Sequence, residues 1–330
     1  MTKLTSHITA STDPFANLAR EEALCDAVQD GEVVLYLWQN RNTIVIGRNQ
    51  NLWKECRVEA FEAEGGRIAR RLSGGGAVFH DLGNLNFTFV ARDPLYDVAR
   101  NCTAVCEAVR SLGLDAQVTG RNDLTVGGSK FSGNAFLNHG AAHCHHGTLM
   151  VNVDFSRLSH YLNPDPRKLA AKGVDSVRSR VANLADLEPS ITTEALAAAL
   201  IAAAEREFGA TAEPLDVARL DAERLIEREQ FFSSREWRLG STPPFTHRFD
   251  ERFAWGDFDA NLVVKGGAVS EARVFSDALD TEFVERIEGA LPGCAYRRAA
   301  LCAQVEAAAS TPEQRAMAAD CAACIARGMD

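Results

Sequence analysis

Hydrophobic positions recur along the chain at two spacings. Asp13-Pro14 makes a helix cap and first-turn pair, and Phe15, Leu18, Cys25 and Val28 then approximate one helical face that ends near Gly31. VVLYLW (33–38) and TIVIG (43–47) are rich in β-branched residues and are separated by Gln39-Asn40-Arg41-Asn42, a pattern that predicts a β-hairpin. In LNFTFV (85–90), Leu85, Phe87 and Phe89 alternate with Asn86 and Thr88, which predicts a strand. Val98, Cys102, Val105, Val109 and Leu112 recur at steps of four and three, an amphipathic helix that assigns Cys102 to the core.

Further strands fit 122–126, 130–137 and 147–153, and an alanine-rich helix fits 193–208, closing at Gly209. A charged helix fits 216–229. RLGSTPPFTHRFD (238–250), with its two adjacent prolines, reads as a linker or extended crossing. Two short strands around 251–275 and helices near 281–290 and 297–326 complete the pattern. The class is α/β (α+β): a large domain with mixed sheets at 1–245 and a small α/β domain at 246–330.

Composition narrows this picture by exclusion. At about 150 residues per domain, 330 residues agree with two domains. The formal net charge of −10 excludes a global basic footprint for nucleic acid. No run of 18 apolar residues is present to span a bilayer. The N-terminal MTKLTSHITASTDPF lacks the apolar core of a secretory signal, so a cytosolic location is expected. Nine cysteines, an odd number without framework spacing, read as buried or free thiols.

Four segments carry candidate chemistry. RRLSGGGAVFHDLGN (70–84) sets three glycines beside Arg70 and Arg71. Such backbone permits close ligand approach and an anion-binding concavity, or simply a glycine turn with solvated arginines. It matches neither the mononucleotide phosphate loop nor the dinucleotide fingerprint. GRNDLTVGGSKFSGNA (120–135) places Lys130 among Ser129, Ser132 and Gly133, where a compact charge could meet a phosphate or carboxylate. Asn122 and Asp123 there could hold a hydrated Mg2+. A hairpin turn at Gly127-Gly128 with a solvated lysine is the plainer reading.

HGAAHCHHGTLMVN (139–152) crowds four histidines and Cys144 into eight positions, yet its spacing matches no standard zinc pattern. On a strand, His145 and His146 point to opposite faces. PDPRKLAAKGVDSVRSR (164–180) inverts the overall sign of charge through Arg167, Lys168, Lys172, Arg178 and Arg180, which reads either as a solvated loop or, given the inversion, as a site for phosphate or an acidic partner. Cys321 and Cys324 form a lone CxxC in an alanine-rich helical context, which reads as helix packing rather than redox chemistry.

Taken in order and spacing, RRLSGGGAVFHDLGN, GRNDLTVGGSKFSGNAF, HHGTLMVN, LSHYLNP and KGVDSVRSRVANL closely resemble the lipoate–protein ligases of the bacterial two-domain type. The likeness extends to GRNQNLWKEC (47–56) and HRFDERFAWGDF (247–258), and so covers nearly the whole chain. The resemblance implies a biotin/lipoate-ligase-like catalytic domain with a small C-terminal domain. It also implies a two-step reaction: lipoate and MgATP give lipoyl-adenylate, and a lysine of an acceptor then takes the lipoyl group and releases AMP. Implied acceptors are lipoyl domains of 2-oxoacid dehydrogenase complexes and the glycine-cleavage H protein.

Carried over position by position, the resemblance gives Lys130 contact with both the lipoate carboxylate and the α-phosphate. Arg71, Gly76, Ala77, Val78 and Phe79 would bind the adenylate, and Asn84 would read the adenine edge. Arg70, Ser73 and His146 would line the acyl pocket or its mouth, with Phe89 or nearby strand residues forming the apolar slot. The chain departs from the family at Phe131, where a smaller aliphatic residue is common, in the short turn TVGGSK, and in the AAHCH insertion.

Three other readings stand beside it. One is an octanoyl transferase of the same superfamily that uses acyl carrier protein without ATP, by a lysine-activated direct transfer or a nucleophilic cysteine, for which Cys144 and Cys56 are the thiols near motifs. Another is a non-catalytic metal- or lipoate-binding module built on the histidine cluster. A biotin ligase is disfavoured, because its glycine-arginine-rich motif is missing.

Overall fold

The first helix forms where the sequence supplies its cap. The Asp13 carboxylate accepts hydrogen bonds from the backbone N–H groups of Phe15 and Ala16, at 2.9 and 3.3 Å, and Pro14 occupies the first turn. This helix, Pro14–Ala27, carries the chain from strand β1 (Lys3–Ile8) to its parallel neighbour β2 (Glu32–Trp38), the crossover that parallel pairing requires. The computed structural model describes residues 2–119, 123–162, 181–240 and 245–329. Asn122 and the basic stretch 164–180 lie outside the described residues.

The expected hairpin at 33–47 does not form. β2 is buried along its whole length and lies between β1 and β6 (Asn84–Arg92), so both its edges are taken. β3 (Thr43–Ile46) instead joins a separate three-stranded sheet between β4 (Arg67–Arg70) and β5 (Val78–His80). The link between β2 and β3 does not fold back. Its Asn40 side chain is fully buried and hydrogen-bonded to Asn17 and His80, and Asn42 takes a φ of 46°.

The large sheet has eight strands. Its order is β11 (Ala212–Pro214), β1, β2, β6, β10 (Ala142–Met150), β9 (Ser129–His139), β8 (Asp123–Val126) and β7 (Ala116–Thr119). Helices Val98–Ser111 and Thr193–Phe208 pack with one face of this sheet, where Leu35, Leu37, Leu85, Phe87, Phe89 and Phe131 form a continuous apolar core. The second helix ends as its sequence predicts, with Gly209 left-handed at φ 64°. The charged helix runs Ala222–Ser233, because Asp221 caps it while Asp216 caps only a single 3-10 turn, Val217–Arg219. Chain alternation leaves Tyr36, Trp38, Asn84, Asn86 and Thr88 on the other face of β2 and β6.

The chain divides into two compact units. The first comprises Met1–Val45, Cys56–Arg71 and Ala77–Arg238; the second comprises Ile46–Glu55, Leu72–Gly76 and Leu239–Asp330. In the second unit, three antiparallel strands, β12 (His247–Phe253), β13 (Gly256–Lys265) and β14 (Ala268–Phe275), stand where two were expected. Helices Thr281–Ala290, Arg298–Ala307 and Pro312–Gly328 share a core with them. The expected single helix over 297–326 is broken in two. Thr311 starts the last helix with a reciprocal capping box and Pro312 cannot continue the one before. Cys321 and Cys324 are buried in that core, and burial pushes both thiols up, Cys324 to about 12.

Two early stretches lodge in this second unit. The Ser276 amide donates to the Asn49 carbonyl at 2.9 Å, the Arg48 amide to Ser73 at 2.9 Å, and the Gly75 amide to Ala278 at 3.4 Å. Lys54 Nζ lies 3.1 Å from Asp259 and 3.5 Å from Asp257. A Cβ at Gly74 would overlap the Ala278 carbonyl, and Gly75 takes a φ of 88°, so both positions demand glycine for packing reasons alone.

Candidate active site

Lys130 lies near the start of β9, opposite β8. The two strands pair with an irregularity between Leu124 and Thr125, and Asp123 comes to face Gly133. The Lys130 ammonium reaches across to the Asp123 carboxylate at 2.7 Å. A Cβ on Gly133 would stand 2.7 Å from Lys130 Nζ, so the bare glycine is what lets the charged end settle there. The Lys130 carbonyl accepts from the Ala182 amide at 2.9 Å, which ties down the backbone as well. With 22% of its side chain exposed, the lysine is a held cation rather than a solvated one.

The Asp123 carboxylate thus faces an ammonium at ion-pair distance, as a counterion of Lys130.

A second polar group lies on the face of the sheet away from the apolar core. Glu21, from the first helix, accepts hydrogen bonds from Thr88 Oγ1 at 2.6 Å and from His146 Nδ1 at 2.8 Å. Thr88 in turn accepts from the indole N–H of Trp38 at 3.0 Å. Arg71 is buried, donates to the Val45 carbonyl at 3.2 Å, and feels the Glu21 charge. Burial brings its pKa down to about 10, opposed by Glu21, so it remains a cation at neutral pH. His80 stands near Arg71 and His146 and is pushed down to about 3, by burial first and then by those two groups.

The histidine cluster is divided by strand alternation. His146 turns to Glu21, whereas His145 turns to Asn134 Oδ1 at 2.9 Å and packs against Phe87 and Phe136. Burial, with His146 adding to it, lowers His145 to about 3. His139 pairs with Asp26 at 2.7 Å, and His143 with Asn138 at 2.8 Å. Glu21, Cys144 and His146 bring donor atoms within 4.8 Å of one another, but the carboxylate and imidazole already satisfy each other by hydrogen bonding. The Cys144 thiol is raised well above the ordinary range by its hydrogen bond with Cys25, by burial and by Glu21. It is therefore a poor nucleophile.

Other expected residues distribute as follows. Arg70 donates to the carbonyls of Trp237 and Arg238 at 3.0 and 3.2 Å, and Trp237 returns an indole N–H to the Arg70 carbonyl at 2.8 Å. Phe79 is buried on β5 against Phe61, and Val78 precedes it. Asn84 donates Nδ2 to Asn86 Oδ1 at 3.0 Å and keeps a buried Oδ1 without a partner. Ser73 and Gly76 belong to the second unit, where the Ser73 side chain is fully buried.

Phe89 does not offer an acyl slot on the polar face. It lies in the apolar core beside Phe208, on the side of β6 opposite Thr88. Phe131 is likewise a core residue. Glu21, Asn17, Asn40 and His80 escaped the sequence reading. A signal for two of them was present: Asn17, Glu21 and Cys25 fall at steps of four on a helix face that proves to be buried.

Comparison with known proteins draws these observations together. A family model of the lipoyl protein ligase A/B catalytic domain matches residues 13–205, and one of the bacterial lipoate protein ligase C-terminus matches residues 242–318. The chain is 44% identical over 295 residues to a lipoate-protein ligase A from Psychrobacter cryohalolentis, covering 87% of each. It is similar to the crystal structure of P. falciparum LipL1 in complex with lipoate, with a TM-score of 0.85 and 25% identity over 99% of this chain and all of that one. It is also similar to a lipoate-protein ligase A bound with ATP, with a TM-score of 0.63 and 26% identity over 72% of this chain and 98% of that one. With the catalytic match covering more than half its length and a close relative along most of the rest, this chain belongs to the lipoate–protein ligase family.

Proposed function

We propose that the protein attaches lipoate to a lysine of an acceptor protein in two steps. A lipoate carboxylate oxygen bonds to the α-phosphorus of MgATP and pyrophosphate leaves. The acceptor ε-amine then bonds to the carbonyl carbon of the lipoyl-adenylate, AMP leaves, and the nitrogen gives up a proton. Negative charge builds first around phosphorus and then on the acyl oxygen, so a fixed cation at that point is the largest expected catalytic aid. The observation that carries the proposal is the Lys130 ammonium, seated over Gly133 and oriented by Asp123.

In this reading Lys130 contacts both the lipoate carboxylate and the α-phosphate. Arg71, Gly76, Ala77, Val78 and Phe79 bind the adenylate, and the unpartnered Oδ1 of Asn84 takes a donor such as the adenine amino group. Arg70, Ser73 and His146 complete the substrate-binding set. Mg2+ arrives with ATP as part of the substrate, and Asp123 is the carboxylate that would help to hold it. Residues 1–245 carry the adenylation chemistry and 246–330 an accessory role.

The acceptors are lipoyl domains of 2-oxoacid dehydrogenase complexes and the glycine-cleavage H protein, met by the basic stretch 164–180, and the reaction takes place in the cytoplasm. Among the described residues no helix is long and apolar enough to cross a membrane. A transferase drawing octanoyl groups from acyl carrier protein without ATP is less well supported. Its thiol near the histidines, Cys144, is held protonated, and a similar ligase binds ATP.

The test is incubation with lipoate, MgATP and an apo lipoyl domain, read by mass spectrometry. The expected result is one lipoyl addition and one AMP per acceptor, with no addition when ATP is omitted. Octanoyl transfer from its carrier protein without ATP would instead establish the transferase.

A further inference from the structure

Strand register and helix packing bring a sulfur, an imidazole nitrogen and a carboxylate oxygen together. Cys144 and His146 stand two positions apart on β10, so their side chains leave the same face of the sheet. Glu21, from the helix Pro14–Ala27, meets them there. One donor atom from each of the three lies within 4.8 Å of the other two. All three residues are buried, with Glu21 5%, His146 7% and Cys144 0% exposed. Among the described residues no other such trio gathers. His139, His143 and His145 pair instead with Asp26, Asn138 and Asn134.

The donor types select the ion. Thiolate and imidazole favour zinc, whereas magnesium, calcium and manganese take oxygen. Ligands on one tetrahedral zinc stand about 3.3–3.8 Å apart, so side-chain shifts of about 1 Å close this group round an ion. Both hydrogen bonds to Glu21, from Thr88 and His146, fall on Oε1, so Oε2 can take the ion. Charge balances as well: a dication with one thiolate and one carboxylate sums to zero, which removes the cost of burying a net charge. Binding releases the Cys144 thiol proton to water, and the imidazole keeps one proton on its other nitrogen.

An outer layer is in place. Thr88 lies opposite His146 in the strand register and donates to Glu21 at 2.6 Å. Cys25, one helical turn beyond Glu21, is hydrogen-bonded to Cys144. Partners of this kind orient ligands and tune the metal they hold. Three protein ligands leave the fourth position to water. Arg71, which feels the Glu21 charge, holds the affinity below that of a closed four-ligand site.

We propose that Glu21, Cys144 and His146 form an inhibitory Zn2+ site, with Cys25 and Thr88 as positioning residues. Inhibition rests on the ligase reading given above, which puts His146 in the substrate-binding set. An imidazole that ligates zinc is withdrawn from that set, so the ion and lipoate exclude each other.

The binding test needs no substrate. Full-length metal-free protein is titrated with Co2+, a spectroscopic stand-in, and then with Zn2+. One equivalent of Co2+ should give a thiolate-to-cobalt absorption band that Zn2+ displaces. Cys144→Ser should remove the band, and Cys294→Ser, at a half-buried thiol outside the group, should leave it. X-ray absorption of the wild-type zinc form should show one sulfur at about 2.3 Å and nitrogen and oxygen at about 2.0–2.2 Å, which decides the ligands even if Cys144→Ser does not fold.

Lipoate-dependent ATP–pyrophosphate exchange is then measured in excess Mg2+, with and without zinc. At about ten times its Kd, zinc should raise the KM for lipoate about tenfold with kcat within about twofold, and Cys144→Ser should lose that sensitivity. Absence of the band, its survival in Cys144→Ser, or a KM that zinc leaves unchanged overturns the proposal. Absence of exchange in metal-free wild type would instead end the ligase reading, and the cobalt band then decides the site alone.

Discussion

Strand β6 has two buried faces built to opposite rules. Leu85, Phe87 and Phe89 look into the apolar core, while Asn84, Asn86 and Thr88 look toward the first helix, and all six are at most 3% exposed. On the apolar side, shape and area suffice, and neighbours are exchangeable within limits of volume. On the polar side, groups have assigned partners: Asn86 to the Trp38 carbonyl, Asn84 to Asn86, Thr88 to Glu21 and Trp38. Hydrogen-bonded polar burial adds little net stability and is costly when one partner is missing. The apolar face holds the fold, and the polar face holds a geometry of paired hydrogen-bonding groups.

The largest test of this contrast is Lys130→Ala. Lipoate-dependent pyrophosphate exchange should fall by about a thousandfold or more, the scale of losing a fixed cation at a developing charge, with melting temperature nearly unchanged. Exchange at the wild-type rate would reject the role given to Lys130. Next come paired substitutions on β6. Phe87→Ala should lower the unfolding free energy by about 3–5 kcal/mol in a urea titration. Thr88→Val should cost about 1–3 kcal/mol by stranding Glu21 and Trp38, and should also raise the KM for lipoate. Equal destabilisation by the two with KM untouched would make the polar face ordinary core.

A further test is a pH dependence, smallest when counted over one pH unit at a single histidine. His80 and His145 both lie at about 3 in the folded protein against 6.5 when exposed. Between these values the unfolded chain binds more protons, so stability is full above 6.5 and declines as pH falls toward 3. Each histidine should contribute about 1.4 kcal/mol per pH unit well below 6.5. His145→Phe should flatten the slope of melting temperature against pH, and an unaltered slope would count against a neutral buried ring.

Legibility in the sequence followed the range of the forces involved. The helices Val98–Ser111 and Thr193–Phe208 were readable because period and cap lie within one segment. The Asp13 cap and the helical burial of Cys321 and Cys324 were readable for the same reason. Pairing partners were not: β2 and β3 have strand-like composition, but composition carries no information about which strand lies alongside. The glycine-flanked lysine stood out as a motif, yet its orientation depends on Asp123 and on the missing side chain of Gly133. Glu21 and His146 meet across a separation of 125 positions, so neither points to the other in the linear text.

The lodging of Ile46–Glu55 and Leu72–Gly76 with the C-terminal chain bears on how the protein is made. A ribosome releases these stretches long before the strands and helices that receive them exist. Until Ala278, Ser276 and Asp259 emerge, the Gly75 amide, the Asn49 carbonyl and the Lys54 charge lack the partners they have in the finished protein. Vectorial synthesis therefore cannot finish the early chain first. A product terminated near residue 245 would expose the triple-glycine loop to proteases, and the last helices govern the maturity of a motif written in the first quarter of the message.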